Sequence, residues 1–329
     1  MTPASHRRLF VAAGSSLVVL LAACGSSSDT ASSNSASSGT ASSSSSASSS
    51  TASSGTAAGS SSAAVSSGAG GSSGSTAPLA CADPATLDTL ADKTLTIATS
   101  EPAFEPWMVD NDPTNGKGFE SAVAYAVAER LGYEPAQVTW TRVGFDEAIA
   151  KPSGFDFDIN QFTITDDRKK VVDFSSGYYT LAQTVITIAG SPIENATTVA
   201  ALKDAKLGAM NGTTSLQAID DVIAPSTPPQ VFEDNALGAQ ALQNGQIDGL
   251  VVDLPTAFYM TGAQLTDGKV VGQLAQTGPD AEQLGLLLAK DSPLTDCVTQ
   301  AVDSLREDGT LDQLTTEWLS SDSTAPVLG

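Results

Sequence analysis

The sequence predicts an α/β protein in which strands and helices alternate in two successive blocks. Three observations carry this. Short apolar segments of period two alternate with segments of helical period between Lys93 and Leu319. The alternation occurs twice, once up to Thr165 and again from Ala205 onward, as expected for parallel-type sheets. Polar clusters close the strands, after Thr99, Thr165, Met210 and Val252. In open α/β sheets, ligands bind beyond the carboxyl ends of strands.

Taken in order, Lys93–Thr99 alternates like a strand and breaks into the loop SEPAFEPWMV. Asn111–Gly118 (NDPTNGKG) is dense in turn formers and reads as a hairpin tip. It is not a calcium loop, because Pro113 and Thr114 stand where carboxylates are needed. FESAVAYAVAERLG follows as a helix, with Phe119, Val123, Val127 and Leu131 on one face and Gly132 as the stop. A strand VTWTRV, a helix FDEAIAK and a third strand FDFDINQFTIT complete the first block. In the second block, Ala205–Met210 is a strand, and NGTTSLQAIDDVI is a loop feeding a helix. ALGAQALQNG is a further helix, and Gln246–Val252 is a strand ending at Asp253. PTAFYM then opens a helix, with Pro255 tolerated in its first turn.

The chain of 329 residues begins differently. His6, Arg7 and Arg8 precede the apolar run LFVAAGSSLVVLLAA, which is short beside the about 20 residues of a bilayer span. A basic head and a short apolar stretch read as a secretory signal over residues 1–23. Its ending, LAAC, resembles a bacterial lipobox, which implies lipidation of Cys24, with an ordinary signal peptide and a chance cysteine as the alternative. From Gly25 to Ala77 only Asp29, Asn34 and Val65 depart from Ser, Gly, Ala and Thr. Such a segment lacks the side chains for a core and reads as a disordered tether over residues 24–80. The remainder, roughly 240 residues, suits one large domain or two lobes.

The formal charge of -22 argues against nucleic acid and against polybasic docking on anionic lipid. Beyond Cys24 the chain has two cysteines, Cys81 and Cys297. In an exported protein they read as a disulfide, with two buried free thiols as the alternative. The single histidine, His6, lies in the signal. Without it a mature chain has no Ser-His-Asp triad, no Cys-His pair and no histidine-containing zinc site, which removes most hydrolase mechanisms; no metal or cofactor is expected.

Three strand ends carry chemistry. Arg168 follows TITDD, and a guanidinium matches a carboxylate with two parallel hydrogen bonds. Thr163 and Thr165 add hydroxyls; the bland reading is a solvated helix start with Lys169 and Lys170 in water. Asn211-Gly212-Thr213-Thr214 precedes a helix, and such an N-terminus suits an anion, or the threonines simply cap it. Asp253 can accept from an ammonium or cap the following helix. Two groups for a carboxylate and one for an ammonium match an α-amino acid.

The stretch TITDDRKKVVDFSSGYY, with GFESAVAYAVAERLG, NGTTS, ALQNGQIDGLVVD and LREDGTLDQLTTEWL, resembles the extracellular solute-binding proteins of polar amino-acid ABC transporters. The resemblance covers residues 93–319. It implies a two-lobed periplasmic-binding-protein-like fold of type II, with the cleft between lobes joined by a two-strand hinge. Lobe 1 would comprise residues 81–187 and 284–321, lobe 2 residues 188–283, and residues 322–329 a tail. Two crossings, near TVITIAG and near LGLLLAK, would form the hinge. The resemblance implies that Arg168 and Thr163 hold the ligand carboxylate and that Thr213 and Thr214 meet it from the other lobe. Asp253 would take the amino group, with the Gln161 backbone as second acceptor. Phe104, Trp107 and Phe145 would flank the ligand side chain, and Glu101 would reach it.

Some residues depart from the family's habit. AFEPW stands where Tyr-x-Pro-Phe is common, and Asn160, Gln161 and Phe162 stand where small residues are common. KPSG, residues 151–154, differs from the usual helix ending. These departures bear on side-chain specificity more than on the amino-acid class.

The implied function is capture of a polar L-amino acid by hinge closure, with a cationic one mildly favoured by Glu101, and delivery to a membrane permease by a lipid-anchored monomer. Two other readings compete. One is an enzyme on the same fold, a cyclohexadienyl dehydratase-like protein with Glu101 or Asp253 as acid or base. The other is a ligand-sensing surface lipoprotein.

Overall fold

The computed structural model describes residues 81–275, 281–319 and 324–329. The signal segment, Cys24 and the tether lie outside the described residues. Two five-stranded mixed sheets carry the fold.

The first sheet belongs to lobe 1. It begins with β1 (Leu95–Thr99), α1 (Phe119–Arg130), β2 (Val138–Arg142), α2 (Phe145–Ala150), β3 (Phe157–Asp158) and β4 (Val172–Thr180). The chain then enters lobe 2 through β5 (Gln183–Ile188), β6 (Leu207–Met210), α3 (Thr214–Ala218), β7 (Gln230–Phe232) and α4 (Asn235–Gln243). The same lobe continues with β8 (Gly249–Asp253), α5 (Leu254–Tyr259) and β9 (Gly268–Gln273). It returns through β10 (Gln283–Ala289), α6 (Thr295–Glu307) and α7 (Thr310–Leu319).

Strand order is β2-β1-β3-β10-β4 in lobe 1 and β7-β6-β8-β5-β9 in lobe 2. In each sheet the βα-connected strands run parallel, and the strand arriving from the other block runs antiparallel to them. Both faces of each sheet are covered, which explains the near-continuous apolar runs of β1, β5, β8 and β10. Phe119, Val123 and Val127 of α1 pack with Ile97, Phe157 and Leu286 on one face of the first sheet. Phe145 and Ala148 of α2 pack with Ala98, Phe162 and Leu287 on the other. Burying each such large side chain contributes about 1.5–3 kcal/mol.

The stop at Gly132 has a geometric basis. Its φ is +84°, and a Cβ there would lie 2.6 Å from the carbonyl oxygen of Ala82. That contact brings the start of the folded region onto the end of α1. Nearby, Cys81 and Cys297 are joined by a disulfide, which ties the same segment to α6.

Some sequence expectations change. Asn111–Gly118 is not a hairpin tip: two short 3-10 turns, Val109–Asn111 and Pro113–Asn115, lead into α1. The long third strand is only Phe157–Asp158; beyond it Gln161 takes a left-handed φ of +48°, and Thr163 makes a single bridge to Leu284. Lobe 1 does not run on to residue 187: the first crossing lies between Thr180 and Gln183, just before TVITIAG, since all of β5 pairs inside the second sheet. β10 lies wholly within the first sheet, so the second crossing, next to LGLLLAK, precedes Gln283.

The last residues are not a free tail. Val327 bridges Gln273 of β9, and Leu328 is buried with Val185, Val271 and Leu274 of lobe 2. The Gln273 N–H donates to the Pro326 carbonyl at 2.7 Å, and the Leu328 N–H to the Gln273 carbonyl at 2.8 Å. Without this segment β9 would be an open sheet edge.

Candidate functional site

The carboxyl ends of β1, β6 and β8, together with the turn after β3, meet at a cavity of about 280 Å³ between the lobes. Arg168 stands on one wall, at the start of the 3-10 turn Arg168–Lys170. Its Nη1 donates to the Thr163 carbonyl at 2.8 Å, and its Nη2 crosses the cleft to the Gly212 carbonyl at 2.9 Å. The guanidinium lies over the Phe145 ring, 5.4 Å from its centroid, and that ring stacks on Phe162. Burial lowers the Arg168 pKa to about 10, against the pull of Glu282 and Asp146, and the group stays cationic at neutral pH. Lys169 and Lys170 are exposed and pair with Asp166 and Asp167.

Opposite lies Asp253, at the end of β8, where it caps α5. Its Oδ1 accepts the Thr256 N–H and its Oδ2 the Thr256 hydroxyl, each at 2.9 Å. Burial pushes its pKa up to about 6. Asp253 thus caps α5 while also lining the cavity.

The threonines behave differently from one another. Thr163 and Thr214 meet hydroxyl to hydroxyl across the cleft at 3.1 Å, and Gln183 Nε2 donates to Thr214 at 2.9 Å. Thr213 lines the cavity, but its hydroxyl proton goes to the Met210 carbonyl at 2.7 Å while the oxygen caps Leu216. Phe104, Phe145 and Glu101 line the cavity. Glu101 is tied to Arg142 at 3.3 Å and to Asn111 at 2.5 Å.

Trp107 is placed elsewhere. It is fully buried in the lobe 1 core, edge-on to Phe119 and Tyr179, and does not line the cavity. A large flat side chain pays its way best in apolar packing, and only its ring nitrogen reaches across the cleft, to Thr256 at 2.8 Å.

Two groups that sequence reading passed over shape the site. Glu120, at the start of α1, accepts the Gln161 N–H at 2.7 Å, the Gln161 side-chain amide and the Tyr178 hydroxyl. It thereby holds Gln161 in its left-handed conformation at the cavity wall. Burial raises the Glu120 pKa to about 7. Gln183, at the first crossing, joins Thr214, Ser215 and Glu282 in one network. The Glu120–Gln161 pairing spans 41 positions, and no local pattern announces it. The cavity also receives Glu233 and Asp234 from the start of α4, so carboxylates outnumber its one guanidinium.

A cation on one wall and a carboxylate on the other can hold the opposite charges of one zwitterion, with aromatic rings beside its side chain. Residues 95–321 match the model of the bacterial extracellular solute-binding proteins, family 3. The chain belongs to this family. The family consists of amino-acid-binding components of ABC importers, working outside the cell or in the periplasm. Among similar proteins, the L-arginine-binding protein of Pseudomonas aeruginosa is 28% identical over 248 residues, covering 70% of this chain and 90% of its own. The L-cystine-binding protein TcyJ of Escherichia coli K12 is 27% identical over 246 residues, covering 74% and 89%. Among solved structures, the ancestral amino acid-binding protein AncCDT-1, a precursor of cyclohexadienyl dehydratase, is 30% identical with a TM-score of 0.57. That match covers 69% of this chain and 96% of the other. The two-lobed type II periplasmic-binding-protein-like fold is therefore that of this family 3 protein.

Proposed function

We propose that this family 3 protein captures a polar, preferentially cationic, L-amino acid by hinge closure and delivers it to an ABC permease, held at the outer face of the membrane through Cys24. The carrying observation is that Arg168 of lobe 1 and Asp253 of lobe 2 line one small cavity. Arg168 takes the α-carboxylate with Thr163 and Thr214, and Thr213 contributes its place at the helix start. Asp253 takes the α-ammonium, with the Gln161 backbone as second acceptor. Phe104 and Phe145 flank the side chain. Glu101, Glu233 and Asp234 favour a positive charge at its far end, although Arg142 offsets part of the Glu101 field.

A ligand touching both lobes stabilises the closed form by its differential affinity for it. The arginine- and cystine-binding relatives support an amino-acid ligand and a binding rather than a catalytic role. The test is a thermal-shift screen of the ligand-stripped full chain against the common amino acids, with Arg168→Ala as control. A ligand at one hundred times its dissociation constant adds about 2.7 kcal/mol of stability. Stabilisation by one amino acid that disappears in Arg168→Ala supports the reading. No shift with any amino acid sinks it, and turnover of prephenate-like acids would replace it with the dehydratase.

A further inference from the structure

Trp107 and Thr256 form a buried hydrogen bond between lobes. The indole nitrogen can only donate, so Thr256 Oγ1 accepts from it, at 2.8 Å. The single proton of that hydroxyl then has Asp253 Oδ2 as its acceptor, at 2.9 Å. The same threonine donates its backbone N–H to Asp253 Oδ1. One residue thus holds both carboxylate oxygens, and the orientation of its hydroxyl is set from the other lobe.

Both partners are rigidly mounted. Trp107 is fully buried, with Phe119 and Tyr179 each 5.9 Å from its ring. Thr256 is 4% exposed, in the first turn of α5. Neither side chain has room to follow the other, so the bond exists only when the lobes are together.

We infer that Trp107 is a cross-lobe latch and a positioning residue for Asp253: closure is completed when the indole N–H meets the Thr256 hydroxyl, and that contact turns the hydroxyl proton onto the Asp253 carboxylate. Trp107 does not touch the ligand and acts through Thr256. The positioning half rests on the assignment of Asp253 to the ligand ammonium; the latch half does not.

The experiment compares the full chain with Trp107→Phe, Thr256→Val, the double variant and Thr256→Ser, using L-arginine as the calorimetric probe and L-cystine where arginine does not bind. Phenylalanine keeps an aromatic ring without a donor, valine keeps the shape of threonine without a hydroxyl, and serine keeps the hydroxyl. Losing one such bond weakens binding about tenfold. Each single variant lacking the bond is expected to lose about that much, and Thr256→Ser to bind within about twofold of the parent. The double variant is expected to bind no worse than Thr256→Val alone, because the two side chains form one relay. Parent-like affinity in Trp107→Phe, or losses that simply add in the double variant, overturns the inference.

A second measurement stands apart from ligand identity. Trp140 and Trp318 are the other tryptophans, so a Trp140→Phe/Trp318→Phe background isolates the Trp107 indole. Ultraviolet resonance Raman then reads its N–H as hydrogen-bonded in the closed protein, and as free once Thr256→Val is added. An N–H signal unmoved by Thr256→Val overturns the latch. If the parent binds no amino acid while the Raman change appears, the ligand reading and the positioning role fall and the latch stands.

Discussion

The guanidinium of Arg168, in lobe 1, donates to the carbonyl oxygen of Gly212, in lobe 2, at 2.9 Å. The proposed anion-binding residue is therefore also a strut between lobes. Gly212 adopts φ +70°, which frees its carbonyl for this contact, and a Cβ there would lie 2.1 Å from Asp146 Oδ1. Gly212→Ala should displace Asp146 from Asn211, its partner at 2.5 Å, and strain the left-handed backbone by about 1–2 kcal/mol. The expected outcome is a protein less stable by about that amount, whose new Cβ also presses on Asp146 of the other lobe and so weakens ligand binding. Calorimetry checks this, and unchanged affinity would show that closure does not need the strut.

Arg168→Lys should cost far more than a conservative change suggests. Lysine keeps one charge but loses the planar fork that spans Thr163 and Gly212 and the stacking on Phe145. Charge-assisted hydrogen bonds are worth about 1.5–3 kcal/mol each, so affinity should fall about a hundredfold or more. A titration of the variant with the parent's ligand reads this directly.

The buried acids give the ligand-free protein an unusual pH response. Folding raises Glu120 from 4.5 to about 7 and Asp253 from 3.8 to about 6, both chiefly through burial. A carboxyl raised in this way contributes stability that is fully present below its unfolded pKa and lost as pH rises through its folded pKa. The Glu120 contribution is thus lost between about pH 4.5 and 7, and that of Asp253 between about 3.8 and 6. The lowered carboxyls, such as Asp173 and Asp308, act below the ordinary carboxylate range and do not oppose this. Melting temperature should therefore rise on acidification from about pH 7 to about pH 5, and Glu120→Gln should flatten the slope. A parent melting temperature that falls steadily over that range contradicts the assignment.

Ligand affinity should move the other way. An ammonium is held by the ionised form of Asp253, whose pKa is about 6. Below that value affinity should drop about tenfold per pH unit. Asp253→Asn should bind weakly and lose this dependence, which isothermal titration at a series of pH values reads.

Asp158 of β3 is fully buried, and among the described residues only the backbone N–H of Ile159 stands near enough to its carboxylate to lower its pKa by a hydrogen bond. Burial, and then the nearby charge of Glu120, push its pKa well above the ordinary range. Its register neighbours are Ala98 and Leu287. Replacing such a group with an apolar one of similar size removes a desolvation cost of about 1–3 kcal/mol. Asp158→Val should raise the denaturation midpoint, with the larger gain at higher pH, and a loss of stability would reveal a partner for the carboxylate.

The sequence by itself determined the element types, since periodicity depends only on which faces of a segment are apolar. α1, α2, α4 and the strands β1, β2, β6 and β8 were legible this way. So was the polar character of strand ends, because a buried strand has to stop being apolar where it leaves the sheet. Arg168, Thr163, Thr214 and Asp253 were singled out from that signal, helped by the resemblance, and all four line the cavity.

Tertiary structure alone decided what joins across distance. β5 and the final residues lie in lobe 2 because their edges find partners there, and an apolar run reads alike in either sheet. Glu120 holds Gln161, beyond the short β3, in a left-handed conformation through a bond between residues 41 positions apart. Trp107 was expected at the ligand and sits instead in the core, since its residue type fixes only that it must be buried, not against what. Its one polar atom acquires meaning from Thr256, 149 positions away, which no local pattern could place 2.8 Å from it.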